Sequence, residues 1–135
     1  GRLYYGLAVD DSHHFLRPGD PTAATPGHGW VVVRANELSA RAILEALQRG
    51  EFYASSGVEL DDYSTDARQM TITIKEKKGS KYRTQFIGDG GKVLGESTTN
   101  PAVYRFRGNE SYVRARILES NGKMAWTQPV FRKRL

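Results

Sequence analysis

The stretch Val113-Arg114-Ala115-Arg116-Ile117-Leu118 (VRARIL) has an apolar or small side chain at every second position and arginines between them. Successive side chains of a β-strand point to opposite faces, so the pattern predicts a strand with one face on a core and one face towards solvent. A period of two returns around residues 70–75, 82–86 and 102–107. The second half of the chain is therefore predicted to form antiparallel strands over a shared core.

Turn signals separate these strands. Asp89-Gly90 and Asn121-Gly122 are typical of tight hairpins, in which both central residues need positive φ. MAWTQPVF (124–131) is the predicted last strand, and Pro129 favours an edge position because proline cannot donate a ladder hydrogen bond. Five or six strands of this kind predict an antiparallel immunoglobulin-like β-sandwich over residues 67–135.

The first half of the chain has a different pattern. LYYGLAV (3–9) and WVVVRA (30–35) predict two buried strands, and a long loop rich in proline and glycine (17–29) lies between them. Residues 37–49 predict a helix that is capped by Asn36 or Ser39 and ended by Gly50. Its predicted apolar face consists of Leu38, Ala42, Ile43, Ala46 and Leu47. FYASSGVEL (52–60) predicts a short strand, so the fold class is mainly β with one helix (α+β).

The distribution of charge also differs between the first and the second half of the chain. Residues 1–66 carry ten acidic and five basic side chains, whereas residues 67–135 carry five acidic and fifteen basic ones, which gives the net charge of +5. We therefore predict a boundary near residues 65–69, between an N-terminal unit (1–66) and the sandwich (67–135).

Composition excludes several classes of protein. The 135 residues include no cysteine, which excludes disulfides, thiolate metal sites and cysteine nucleophiles. No apolar run approaches the roughly 20 residues of a membrane span, and the first residues lack the pattern of a signal peptide. Since the sequence begins with glycine, we expect it to be a piece of a longer or processed protein.

The densest group of candidate ligands is Asp10-Asp11-Ser12-His13-His14, directly after the first predicted strand. Carboxylates and imidazoles are ligands that Zn²⁺, Mn²⁺ and Fe²⁺ accept. Asp11 and His13 could share a metal because an Asp-x-His spacing can bring both side chains to one side of a loop. His28 is a candidate third ligand, and a solvated polar turn is the alternative interpretation.

A basic face is predicted on the sandwich, with Arg105, Arg107, Arg114 and Arg116 as candidate contacts to an anion or a partner. Nucleic acid is not favoured, because Tyr104 and Phe106 share the inward parity and are expected in the core. The alternative is a solvated sheet face that discourages edge pairing. Gly88–Lys92 looks like a phosphate loop, but no helical pattern follows it, so a hairpin is predicted instead.

The segments GLAVDDSHH, PGHGWVVV, ILEALQRG, EFYASSGVEL and AWTQPVF follow one another in an order that resembles the C-terminal portion of proteins with a polymerase-and-histidinol-phosphatase (PHP) domain. These are predicted metal-dependent phosphoesterases. The resemblance extends over nearly the whole chain and is best over residues 6–57. It points to the subgroup in which a small β-sandwich follows the catalytic barrel.

This resemblance implies that residues 1–66 are the last strand and helix of a (β/α)7 barrel that binds divalent metals. The family's last metal motif, Asp-x-His, falls on Asp11 and His13, and Asp10 and His14 would at most support those ligands. The family's earlier His-x-His motif, its middle glutamate and its other histidines have no counterpart in this chain.

The resemblance therefore implies a phosphoesterase fragment that is inactive alone and holds no metal, or only part of a metal site. The implied partner is the N-terminal remainder of the barrel, and no membrane partner is expected. Alternatively, a second copy of the chain would cover the exposed barrel strands. A different class of function stays open, namely a non-catalytic sandwich that uses its basic face for binding.

Overall fold

The computed structural model describes residues 3–16, 20 and 22–131. Within them the chain forms one α-helix and ten β-strands, so the prediction of a mainly β fold is confirmed. The elements are β1 (Trp30–Val33), α1 (Ala40–Arg49), β2 (Phe52–Ser55), β3 (Leu60–Thr65), β4 (Gln69–Ile74), β5 (Tyr82–Ile87), β6 (Val93–Ser97), β7 (Ala102–Arg105), β8 (Tyr112–Glu119), β9 (Met124–Thr127) and β10 (Val130–Phe131). No helix in this described part is long and apolar enough to cross a bilayer.

The strands form two sheets in which neighbouring strands pair antiparallel. The larger sheet has the order β1-β2-β9-β8-β5-β6, and β10 also pairs with β8. The smaller sheet has the order β3-β4-β7. Side chains of both sheets contribute to one buried cluster, so the sheets pack face to face around a shared core.

The core confirms the inward positions predicted from the alternating pattern. Every second residue of β4 and of β8 is buried, namely the apolar Met70, Ile72, Ile74, Val113, Ala115 and Ile117, and also Glu119. Phe86 on β5 stacks on Tyr104 of β7, with 5.3 Å between the ring centroids. This aromatic pair joins the larger sheet to the smaller one.

Both predicted hairpins are present, but their turns differ from the predicted type. The loop containing Asp89-Gly90 joins β5 to β6, and the loop containing Asn121-Gly122 joins β8 to β9. Gly90 and Gly122 have φ of 67° and 87°, whereas Asp89 and Asn121 are not in the positive-φ region. The loops are longer than two residues, so positive φ is confined to glycine, namely Gly90 and Gly91 in the first loop and Gly122 in the second.

Helix α1 begins at Ala40, three residues later than predicted. Ser39 is its N-cap, with the side-chain oxygen accepting a hydrogen bond from Ala42 N, and Gly50 ends it in the left-handed conformation at φ 72°. Leu38 precedes the helix and is 96% exposed, so its assignment to the apolar face is wrong.

The prediction of a fully buried strand at residues 3–9 is also wrong. The segment has no regular secondary structure, and Val9 is 77% exposed. Its backbone is held by the side chain of Gln128, which accepts a hydrogen bond from Gly6 N at 2.9 Å and donates one to Gly6 O at 2.8 Å. An apolar run is buried only where neighbouring strands cover it, and no described strand pairs with this segment.

Three other predicted strands are shorter or placed differently. β1 ends at Val33 and lies at an edge, where it is only half-buried, and β2 ends at Ser55. The predicted last strand is divided at Pro129 into β9 and β10. Because β9 lies between β2 and β8, its predicted edge position is wrong.

The predicted boundary near residue 66 falls in the turn between β3 and β4. Asp66 closes this turn, since its Oδ1 accepts hydrogen bonds from Arg68 N and Gln69 N. Strands from the two sides of the boundary pair with each other in both sheets, through β3 with β4 and β2 with β9. The described parts of residues 1–66 and 67–135 are thus joined by hydrogen-bonded strands.

Candidate functional site

The predicted metal ligands lie in the loop that leads from the N-terminal segment to β1. The N–H groups of His13 and His14 both donate to Ala24 O at 3.0 Å. Gly27 N donates to Asp10 Oδ2 at 2.6 Å. These contacts tie the beginning of the loop to its end and fix the backbone on which the candidate ligands stand.

Glycine is required where β1 approaches this loop. A Cβ at Gly29 would lie 2.9 Å from the carbonyl oxygen of Val9. The backbone of the N-terminal segment therefore passes directly beside the residue that precedes β1. This close approach places the Asp10–His14 stretch next to β1, although the two do not pair as strands.

Asp10 acts as a structural group in this loop. Hydrogen bonds from the backbone N–H groups of Gly27 and His28 hold the pKa of its carboxyl below the usual value, against a smaller opposing effect of burial. One carboxylate oxygen is thus committed to closing the loop. This geometry fits the supporting role that the sequence assigned to Asp10.

His13 has a ring orientation that suits metal binding. Its Nδ1 lies 2.7 Å from the carbonyl oxygen of Asp11. Since a carbonyl oxygen only accepts, Nδ1 carries the proton of the neutral ring and Nε2 carries the free lone pair. Metal-binding histidines commonly use this arrangement, in which a backbone carbonyl holds one nitrogen and the metal binds the other.

Two neighbours of His13 are also unusual. Asp11 is exposed and adopts φ 48°, and it is the one described residue other than glycine with a positive φ. Such a conformation costs about 1–2 kcal/mol for most residues with a Cβ, and aspartate is among the residues that adopt it most readily. Ser12 Oγ is shielded from solvent, yet no described residue offers it a hydrogen bond. Asp11 and Ser12 are the two residues that precede His13.

The other two histidines do not complete a metal site. The ring of His14 lies 4.8 Å from that of His13, centroid to centroid, and Nε2 of His28 lies 3.1 Å from Thr25 Oγ1. Among the described residues, no three carboxylate or imidazole groups come together as a metal-binding set. The side chains of Asp11 and His13 are of types that bind metals, but a catalytic metal commonly has three protein ligands.

A direct prediction concerns the protonation of His13. In the metal-free protein, at a pH where the rings are neutral, we expect His13 to carry its proton on Nδ1, because the Asp11 carbonyl accepts it. Long-range ¹H–¹⁵N correlation of the imidazole nitrogens distinguishes the two tautomers, and His14, to which no described backbone carbonyl is hydrogen-bonded in this way, provides the comparison. A protonated Nε2 and a bare Nδ1 at His13 would contradict this geometry.

The four candidate arginines do not form one face. Arg105 lies on β7 of the smaller sheet, and Arg107 follows it, donating to Leu94 O and lying over the Tyr104 ring. Arg114 and Arg116 lie on β8, on the side of the larger sheet that faces away from the core. The structure therefore divides the predicted basic surface between two sheets.

Sequence reasoning did not identify two buried polar residues that organise the structure. Gln128 fastens the N-terminal segment, and the buried carboxylate of Glu110 accepts hydrogen bonds from Tyr104 and two backbone N–H groups. The sequence offered one indication for Gln128, because this residue directly precedes Pro129, which interrupts the last predicted strand. No pattern in the sequence distinguishes Glu110 from an exposed loop residue.

Comparison with known proteins gives no relative. A scan against protein-family models finds no matching family, and searches of curated proteins and of solved structures find no similar chain.

Proposed function

We propose that this chain is the C-terminal part of a metal-dependent phosphoesterase of the PHP type, in which Asp11 and His13 are two of the metal ligands. The order of the quoted segments supports the family, and the free Nε2 of His13 supports the ligand role. The two antiparallel sheets agree with an appended sandwich of the immunoglobulin-like class. The proposed reaction is hydrolysis of a phosphate ester.

One observation carries this proposal: an exposed apolar segment leads directly into the candidate ligands. Four of its large apolar side chains are exposed, namely Leu3, Tyr4, Leu7 and Val9, and Phe15 and Leu16 are exposed directly after the candidate ligands. A contiguous exposed apolar surface commonly marks a contact site. In the proposed parent, the remainder of the barrel covers residues 3–9 and supplies the missing ligands.

The residues of this chain have separate roles in the proposed site. Asp11 and His13 would hold the metal, which supplies an activated water molecule and stabilises the charge that develops on the phosphoryl group. Asp10 holds the loop closed through Gly27. The Asp11 carbonyl keeps the proton of His13 on Nδ1, away from the nitrogen that binds.

Binding of Mn²⁺ tests the ligand assignment on this chain. Bound Mn²⁺ broadens nearby NMR signals, so even the weak binding expected from two ligands can be located. We expect the amide signals of residues 10–14 to broaden first, and His13→Ala and Asp11→Ala to abolish the effect. His14→Ala is the matched control and should leave the broadening unchanged.

The exposed pair Asp61 and Asp62 is an internal comparison for unspecific attraction of Mn²⁺. Broadening that is centred on this pair, or that persists at residues 10–14 in His13→Ala, would contradict the ligand assignment.

A second copy of the chain is the alternative cover for the apolar segment. If no second copy covers the segment, residues 1–135 sediment as a monomer of 15.1 kDa. A dimer that Leu7→Lys dissociates would show instead that the segment pairs with another copy.

A further inference from the structure

A cleft of about 670 Å³ lies between the N-terminal segment and the outer face of the larger sheet. Its walls are aromatic or aliphatic, and include Tyr4, Leu7, Val9, Tyr112, Trp126 and Phe131. Cavities of about 300–1,000 Å³ with apolar walls and few polar groups are typical of small-molecule sites. The cleft is therefore large enough to take a small apolar ligand.

Two of the polar side chains that line the cleft already have hydrogen-bond partners. The Gln128 amide is bonded to the Gly6 backbone, and Thr127 Oγ1 accepts a hydrogen bond from Ala115 N at 2.8 Å. Neither group is available to a ligand without loss of a contact that holds the fold. These hydrogen bonds hold the two side chains in place, so a ligand would be recognised by the other groups of the cleft.

Arg114 differs from the other polar side chains of the cleft in its charge. It is the single charged side chain among the described residues that line the cleft. Its neighbour Arg116 donates to Gln85 Oε1 through Nε and Nη2, but no described residue gives Arg114 a hydrogen bond or an ion pair. A partly buried guanidinium in apolar surroundings has lost water without gaining a partner, so an anion bound there would be stabilised.

We propose that this cleft binds a small amphiphile with an apolar body and a single carboxylate. The carboxylate pairs with Arg114, and the apolar body packs against Trp126 and Tyr112. An arginine presents two parallel N–H donors that match the two oxygens of a carboxylate. A ligand with a carboxylate headgroup is therefore favoured over one with an uncharged polar headgroup. The proposal concerns residues 1–135, in which the cleft is open. It does not depend on the proposed hydrolysis, although a barrel that covered residues 3–9 would restrict access to the cleft.

Fluorescence of Trp126 provides the test. In a Trp30→Phe background Trp126 is the one remaining tryptophan. Octanoate and naphthoate are titrated as the chain-like and the aromatic carboxylate, with octanol and octylamine as neutral and cationic counterparts. We expect saturable changes in emission with a carboxylate, and the tighter of the two carboxylates identifies the kind of apolar body.

Two variants and a control show whether Arg114 is responsible. Arg114→Gln should weaken carboxylate binding about tenfold or more, the loss of a charge-assisted contact. Leu7→Asp places a repelling charge on an exposed wall and should also weaken it, which keeps the test valid if Arg114→Gln does not fold. Arg83→Gln, an exposed arginine outside the cleft on the same sheet face, should bind as the parent does.

Three results would overturn the proposal. Octanol that binds as tightly as octanoate would show that the cleft recognises only the apolar body and would remove the role of the charge. Unchanged octanoate binding in both Arg114→Gln and Leu7→Asp would show that the ligand lies elsewhere. Absence of any emission change with either carboxylate would show that the cleft takes no ligand of this class.

Discussion

Phe86→Ala is expected to lower the free energy of unfolding by about 3–5 kcal/mol, the range found for buried aromatic residues that are truncated to alanine. Phe86 is 1% exposed and stacks on Tyr104 of the opposite sheet. Truncation leaves a void between the two sheets that neither strand can fill by a side-chain movement alone. Since domains have a total stability of about 5–15 kcal/mol, this one change removes a large part of it.

The matched control is Phe15→Ala, which removes the same ring from a position that is 67% exposed. We expect a change within about 0.5 kcal/mol, as is usual for surface positions. Urea unfolding followed by circular dichroism measures both variants. Equal effects of the two substitutions would contradict the assignment of the core to the space between the sheets.

The second large effect concerns Glu110, which is 4% exposed. Its carboxylate accepts hydrogen bonds from Tyr104 Oη at 2.7 Å, Arg107 N at 2.8 Å and Gly108 N at 2.9 Å. Burial by itself raises the pKa of this carboxyl, but the hydrogen bonds outweigh burial and lower the pKa to about 2 from the usual 4.5. Burial and the same hydrogen bond raise the pKa of Tyr104 to about 12.

This lowered pKa predicts a specific dependence of stability on pH. A carboxyl whose pKa is lower in the folded state stabilises the protein above its unfolded pKa, and the contribution is lost as the pH falls from about 4.5 towards 2. We therefore expect Glu110→Gln to lower the free energy of unfolding by about 2–3 kcal/mol at pH 7. The difference from the parent should shrink as the pH is lowered through this range.

Urea unfolding at pH 7, 4 and 2.5 measures this dependence. Glu76→Gln, at an exposed position, is the control and should follow the parent at every pH. A difference between Glu110→Gln and the parent that stayed constant down to the lowest pH would show that the carboxylate is not held in its charged form by the fold.

The strands of the sandwich could be predicted because burial of one sheet face imposes a period of two. Val113, Ala115 and Ile117 are buried as that pattern required, and Ser39 and Gly50 bound the helix through local hydrogen-bond and φ preferences that act over a few residues. Such features depend on neighbours in sequence or on one repeated face. They can be predicted without knowing which strands pair with each other.

The predictions that failed concern features that depend on which strands lie next to each other in the sheets. Residues 3–9 are as apolar as a buried strand, but burial depends on neighbouring strands that the described chain does not provide. The strand order determines that β9 is central despite Pro129, and it also separates Arg105 from Arg114. In the candidate site, Asp11 and His13 were proposed as ligands from the Asp-x-His spacing and the family resemblance. The contact of His13 Nδ1 with the Asp11 carbonyl depends on the conformation of the loop, in which Asp11 has φ 48°, and that conformation could not be predicted from the sequence.

Metal-dependent hydrolysis by the whole open reading frame that encodes these residues tests the central proposal most directly. With Mn²⁺ and p-nitrophenyl phosphate, we expect turnover that His13→Ala reduces about a hundredfold or more, the scale expected when a metal ligand is lost. His14→Ala should retain activity, because its ring has no part in the proposed ligand set. Absence of hydrolysis in the parent protein, or full activity in His13→Ala, would contradict the assignment of this chain to a metal-dependent phosphoesterase.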